Sequence, residues 1–238
     1  MKIKFNKTLL SCMLMAGFQV QALEISKEPM PNKGQTSAEV DLRGGGGISL
    51  VVDDGTAENT IGDDGQFIWL NRFSPATGDF PFNLEEVQVV FGNNMVNIGD
   101  AIEILVYEDT DNDGDPGTNA VLLASFSDVI QNNDGFTFNE YMLDMPVELT
   151  GPGDVLIGVV SRASFEGAMD FPATIDEDVL QERSWVASYN SGDVPANPAL
   201  PGDEQWGTID SFGLPGNWLI RGFGSSTVPV ELINYSID

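Results

Sequence analysis

Short apolar segments recur along the chain from Ile48 onward, each about five to eight residues long. They are Ile48 to Val52, Gln66 to Phe73, Val87 to Phe91, Ile102 to Tyr107, Val121 to Phe126, Thr137 to Leu143, Val155 to Val160, Trp185 to Tyr189 and Trp218 to Phe223. β-Branched and aromatic residues dominate them, and Gly, Asn, Asp or Pro bound them, which is the signature of strands closed by turns. Ile102, Ile104 and Val106 alternate with other residues, so a strand would place all three on one face. No stretch holds helical spacing for three turns; one short helix fits only within Asp176 to Arg183. About nine strands without interleaved helices predict an all-β fold, an antiparallel β-sandwich of jelly-roll-like form. Asp144 to Gly153 reads as a bend feeding the strand at Val155. Glu166 to Asp178 and Ser191 to Ser211 read as long connections, the usual place for function on a rigid sheet scaffold.

The ends follow a different pattern. Lys2, Lys4 and Lys7 precede an apolar stretch from Thr8 to Val20 that closes at Val20-Gln21-Ala22. A basic start, a short apolar centre and a small final residue form a secretory signal peptide, predicted over residues 1–22. The apolar stretch is shorter than the roughly 20 residues a membrane helix needs. Leu9-Leu10-Ser11-Cys12 loosely resembles a lipoprotein processing box. Cys12 sits inside the apolar stretch rather than at its end, which favours a cysteine discarded with the signal and leaves lipidation as the alternative. Residues 23–47, with Pro29, Pro31, Gly34 and the run Gly44 to Gly47, read as a flexible leader. The glycine run lacks the Gly-Lys-Ser/Thr ending of a phosphate loop. The sandwich is then expected over residues 48–226, with a tail at 227–238. The expected location is secreted or extracellular, with the periplasm or cell surface included, and no membrane insertion.

Composition narrows the chemistry. The 238 residues contain no histidine and one cysteine, and carry a formal net charge of −27. Cleavage after Ala22 would remove Cys12, three lysines and no acid, taking the charge to −30. Without His and Cys there is no Ser-His-Asp triad, no Cys-His pair, no disulfide and no His- or thiolate-ligated metal site. Nucleic acid and anionic membranes need clustered Lys and Arg, so both are excluded as partners. Divalent cations suit such a surface. Chemistry of this kind favours binding over catalysis.

Two features carry candidate chemistry. The segment Asp109-Thr110-Asp111-Asn112-Asp113-Gly114-Asp115-Pro116-Gly117 has carboxylates at alternate positions followed by glycine, matching the first half of a calcium loop. Asp109, Asp111, Asp113 and Asp115 are the candidate ligands, with Glu108 or a carbonyl completing the shell of a Ca²⁺ cofactor. The twelfth loop position is Ala120 rather than a bidentate Glu, and the flanks read as strands, so the loop is no EF-hand. The same residues also suit a solvated Asp/Asn/Gly hairpin turn. The second feature is Trp206, in the polar stretch Pro201 to Gly207, the best candidate for an exposed ligand-binding aromatic. Trp69, Trp185 and Trp218 lie in apolar segments and read as core. The acidic pairs Asp53-Asp54 and Asp63-Asp64 read as solvated turns, and Arg221 as a structural arginine paired with a carboxylate.

Asp53-Asp54-Gly55, Asn71-Arg72-Phe73-Ser74-Pro75, Asp115-Pro116-Gly117, Val155-Leu156-Ile157-Gly158 and Asn217-Trp218-Leu219-Ile220-Arg221 occur in that order. Together they resemble the β-sandwich modules of secreted bacterial proteins found beside subtilisin-like peptidases or ahead of C-terminal sorting tails. The resemblance covers most of residues 50 to 224. It implies an extracellular accessory or adhesion-like module and carries over no catalytic residue. The segment Val228 to Leu232 is similar to what precedes sorting regions in such proteins. The leading expectation is a non-enzymatic module that binds an extracellular partner, with Ca²⁺ as candidate cofactor. A glycan-binding module or a glycosidase using paired carboxylates is a second expectation, and a structural component of an extracellular matrix or appendage a third.

Overall fold

The structure is a computed structural model and describes residues 25–35, 47–111, 113–163, 169–178 and 180–227. The signal peptide, Cys12 and the tail beyond Thr227 lie outside the described residues. The described chain is all-β, with fifteen strands in three antiparallel sheets. The largest sheet has six strands in the order β13 (Gln205–Thr208), β12 (Ser184–Ser188), β4 (Phe67–Phe73), β10 (Asp154–Ser161), β7 (Ala101–Asp109) and β8 (Val121–Val129). A four-stranded sheet runs β2 (Gly47–Leu50), β15 (Ile220–Ser226), β5 (Phe82–Val89), β9 (Asn139–Leu149). The third runs β1 (Ser26–Gln35), β3 (Thr56–Asp63), β11 (Asp170–Asp176), β14 (Asn217–Trp218), with β6 (Phe91–Asn94) also on β11.

The last two sheets join end to end. Val90 alone separates β5 from β6, and Leu219 alone separates β14 from β15. The Val90 amide donates to the Leu219 carbonyl at 3.1 Å, and the Leu219 amide to the Thr174 carbonyl at 3.2 Å, so the break keeps its backbone groups satisfied. Asn71 braces the break from the opposite layer. Its Nδ2 donates to the carbonyls of Trp218 (2.8 Å) and Ile220 (3.0 Å), and its Oδ1 accepts from the Ser184 hydroxyl at 2.6 Å.

Period-two alternation sets the core. Phe67, Trp69 and Phe73 of β4, Ile102, Ile104 and Val106 of β7, and Val155, Ile157 and Val159 of β10 point into the main core against Leu50, Phe82, Leu84, Val87 and Ile220. The alternate residues Ile68, Leu70, Leu105, Tyr107, Leu156 and Val160 form a second cluster on the outer face of the six-stranded sheet. Both faces are therefore buried, which is why β4 and β10 read as nearly continuous apolar runs. The segment 190–204 straps this outer face. Tyr107 Oη donates to the Pro198 carbonyl at 3.0 Å, Tyr189 Oη to the Ala199 carbonyl at 2.8 Å, and Arg162 to the carbonyls of Val194 and Pro195.

Several expectations need correction. The strand count is fifteen, not nine. Ser26–Gln35, inside the stretch read as a flexible leader, is β1 and pairs with β3. Asp144 to Leu149 belongs to β9 rather than to a bend, and the connection expected over Glu166 to Asp178 contains β11. The described residues between Asp176 and Arg183 form no helix; Asp176 ends β11 and Arg183 precedes β12. Among the described residues no helix is long and apolar enough to cross a membrane.

The acidic pairs are not simple solvated turns. Asp53 is buried and ion-paired with Arg221, Nη2 to Oδ1 at 2.5 Å. Asp63 is also buried, and burial, helped by the charges of Asp64 and Glu204, pushes its carboxyl up to about 8. A carboxyl raised in the folded state binds more protons there than in the unfolded chain, so its contribution to stability is full near pH 4 and is lost as pH rises through about 8. Asp63→Asn is therefore expected to flatten the fall in thermal midpoint between about pH 4 and 8. An unchanged slope in a pH series of melting curves would show that other groups carry it.

Five of the basic side chains are engaged. Lys27 pairs with Glu177, Arg72 with Asp154, Arg162 with Glu103 and Arg221 with Asp53, while Arg183 donates to the Ser74 hydroxyl.

Candidate functional site

The acidic segment is the connection between β7 and β8, the edge pair of the six-stranded sheet. Aspartates shape it locally through turns in which a side chain accepts an amide two residues on. Asp111 Oδ1 accepts the Asp113 N–H (3.1 Å), Asp113 Oδ1 accepts the Asp115 N–H (2.7 Å), and Asp115 Oδ1 accepts the Gly117 N–H (2.9 Å). Gly114 takes a left-handed φ of 84°, which a side chain would resist, and so reverses the chain. Thr118 and Asn119 close the turn from the far side, Thr118 Oγ1 to Asp113 Oδ2 at 3.0 Å and Asn119 Nδ2 to Asp111 Oδ2 at 2.8 Å.

These turns bring one carboxylate oxygen each from Asp109, Asp111 and Asp113 within 4.8 Å of one another. Calcium–oxygen distances of about 2.3–2.6 Å put opposite ligands roughly 5 Å apart, so the spacing fits one such ion. Asp109 is the most informative of the three. It is the last residue of β7 and is sealed from solvent, and neither of its carboxylate oxygens meets a hydrogen-bond partner. An uncompensated buried carboxylate is costly and calls for a cation or a proton. Burial, with the Asp111 charge next, pushes its carboxyl up to about 6. Asp111 moves the other way; the hydrogen bond from Asn119 holds its carboxyl below the ordinary range.

Asp115, also expected as a ligand, is not in the converging group. Glu108, expected to complete the shell, serves elsewhere: its Oε1 accepts the amides of Thr150 and Gly151, each at 2.7 Å. Adjacent residues on a strand face opposite ways, so Glu108 and Asp109 cannot share an ion. Asp154, opposite Asp109 in the register, is held by Arg72 and Ser74. Asn112 lies outside the described residues.

Trp206 is not on a polar loop. It lies in β13, half-buried, with its ring 4.9 Å from that of Trp185 at an interplanar angle of 30°. It also meets the acidic segment: a Cβ built on Gly117 would lie 2.7 Å from Trp206 Nε1. The glycine lets the indole edge seat against the loop. The two candidate features, 89 positions apart in the chain between Gly117 and Trp206, are thus neighbours in space. The spacing of the acids was visible in the sequence; the stacking on Trp185 depends on the register of β13 against β12, which no local pattern reveals.

No protein-family model and no curated protein sequence matches the chain. In fold it is similar to the crystal structure of the cysteine protease and lectin-like domains of Cwp84, a surface layer associated protein of Clostridium difficile. The TM-score is 0.53 at 13% sequence identity, over 76% of this chain and 36% of that one. The chain thus spans about a third of that neighbour's length, and the likeness is one of fold: a β-sandwich module.

Proposed function

We propose that the chain is an extracellular, non-enzymatic binding module whose β7–β8 loop holds one Ca²⁺. Asp109 carries the reading: a solvent-sealed carboxylate with no partner, joined by the carboxylates of Asp111 and Asp113. Asp109, Asp111 and Asp113 would supply oxygens to the ion, with loop carbonyls and water as further ligands of the kind calcium takes. The ion would neutralise the buried charge and lock the loop against Trp206. Isothermal titration with CaCl₂ tests the ion directly; absence of saturable heat at millimolar calcium would refute it.

The partner is proposed to be a glycan or another extracellular surface. The glycan reading draws on the fold neighbour, whose described domains include a lectin-like one, and on the half-exposed Trp206 beside the acidic loop. Trp206→Ala is expected to lower binding on a glycan array about tenfold or more, the loss usual for a truncated aromatic anchor. Unchanged array binding by a variant that keeps its β-sheet circular dichroism would remove Trp206 from the binding surface.

A further inference from the structure

A second recessed site lies at the opposite end of β4 from the acidic loop. The β3–β4 turn, the end of β10, the start of β11 and the strap enclose a cavity of about 150 Å³. A cavity of roughly that volume accepts a ring of six carbons in other proteins. Asp64, Asp170, Asp193 and Ser161 line one part, and Phe67 and Pro172 supply an apolar wall.

Asp170 is the centre of the site. It is 8% exposed, and its Oδ2 has no hydrogen-bond partner, while the Ser161 hydroxyl bonds its carboxylate. The backbone explains its position. The pairing of β11 with β3 shifts register between Asp170 and Ala173, and Gly62 lies so close that an added Cβ would sit 1.9 Å from the Asp170 carbonyl oxygen. A register shift of this kind re-aims a side chain away from the regular sheet face. The nearby cation is already committed, since Arg162 bonds Glu103, Gln66 and the strap carbonyls. Among the described residues none of the three lining aspartates is ion-paired.

We infer that this cavity binds a primary ammonium group carried on a short aliphatic stem. Asp170, buried with one carboxylate oxygen unpartnered, calls for a cation. The exposed Asp64 and Asp193 add negative potential at the mouth, and the apolar wall favours carbon beside the charge. A bare divalent ion fits less well. Among the described residues only Asp109, Asp111 and Asp113 converge closely enough to share one ion, so the cavity acids are spread apart. An ammonium offers three donors that can reach separate acceptors. Burial, with the charge of Asp100 adding to it, pushes the Asp170 carboxyl up to about 6, so it is ionised at pH 8.

The test uses n-butylamine, 1-butanol and CaCl₂ with the whole secreted chain at pH 8, read by saturation-transfer NMR. Butylammonium is expected to bind at least tenfold more tightly than butanol. Asp170→Asn is expected to weaken it at least tenfold, and Asp193→Asn, a strap substitution with little risk to folding, severalfold. Asp109→Asn should leave it unchanged, which separates this site from the proposed calcium loop. Equal binding of amine and alcohol would overturn the inference by showing an apolar cavity alone. Displacement of the amine by equimolar calcium in the Asp109→Asn protein would overturn it in favour of a metal site. Insensitivity to both Asp170→Asn and Asp193→Asn would place the amine elsewhere and likewise overturn it.

Discussion

Calcium at 10 mM is expected to raise the thermal midpoint of the protein by about 3–11 °C. Calcium sites in extracellular modules have dissociation constants of about 10⁻⁴–10⁻³ M, so 10 mM is about 10–100 times that value. Such loading stabilises by about 1.4–2.7 kcal/mol, and a domain of this size shifts by roughly 2–4 °C per kcal/mol. Asp109→Asn should abolish the rise. In EDTA at pH 8 the same substitution should leave the midpoint equal to or above that of the parent, because it removes a sealed, unpartnered carboxylate. The effect of one substitution thus changes sign with the ion. A generic loss of packing lowers both midpoints, and a site elsewhere leaves both rises intact. Calcium binding should also weaken as pH falls through about 6, where Asp109 takes up a proton that competes with the metal.

Arg221→Met is expected to cost about 3–5 kcal/mol, or roughly 6–20 °C in midpoint. Arg221 is 1% exposed and makes three contacts to Asp53, Nε to both carboxylate oxygens at 3.1 Å and Nη2 to Oδ1 at 2.5 Å. Its guanidinium also lies 4.3 Å over the ring of Phe138. Methionine replaces the stem but strands the Asp53 charge in the interior. Adding Asp53→Asn should recover a large share of the loss. Asparagine removes the charge yet keeps an oxygen where Asp53 Oδ1 accepts the Gly55 amide at 3.0 Å. Urea denaturation of the two single variants and the double variant measures the coupling. A single-variant cost below about 1 kcal/mol would mean that the pair is replaceable without penalty.

The two-layer architecture was legible where burial and alternation agree. Ile102, Ile104 and Val106 entered the core as their spacing requires. Two of the apolar segments read as single strands each cross a break, at Val90 and at Leu219. Periodicity does not register such breaks, since both residues are apolar. Four strands were unread: β1, β3, β11 and β13. β11 shows why. Its sequence DFPATID holds proline and two aspartates, which argues against a central strand, yet all seven residues are buried. Its neighbours β3, β6 and β14 cover it, so tertiary packing overrides local propensity.

The candidate site was legible in its spacing and not in its energetics. Alternating aspartates before Gly114 marked the loop. That Asp109 is sealed follows from its place at the end of β7, paired across to Asp154. That Asp115 leaves the group follows from its own turn with Gly117. Asn71, Trp218 and Arg221, which stand in the motifs Asn71-Arg72-Phe73-Ser74-Pro75 and Asn217-Trp218-Leu219-Ile220-Arg221, serve the sheet break and the buried ion pair. Those motifs therefore record how the sandwich is closed.

The engagement of Lys27, Arg72, Arg162, Arg183 and Arg221 has a consequence for the water around the molecule. These cations are spent holding strands and strap in place, so carboxylates dominate the field outside the surface. A chain with a formal charge of −27 gathers a diffuse atmosphere of counter-ions that extends about 8 Å at physiological ionic strength. Divalent ions are enriched in that layer more steeply than monovalent ones, because the Boltzmann weight rises with the exponent of valence. The β7–β8 loop would meet calcium at a local concentration above that of the medium, and a modest intrinsic affinity would suffice to load it.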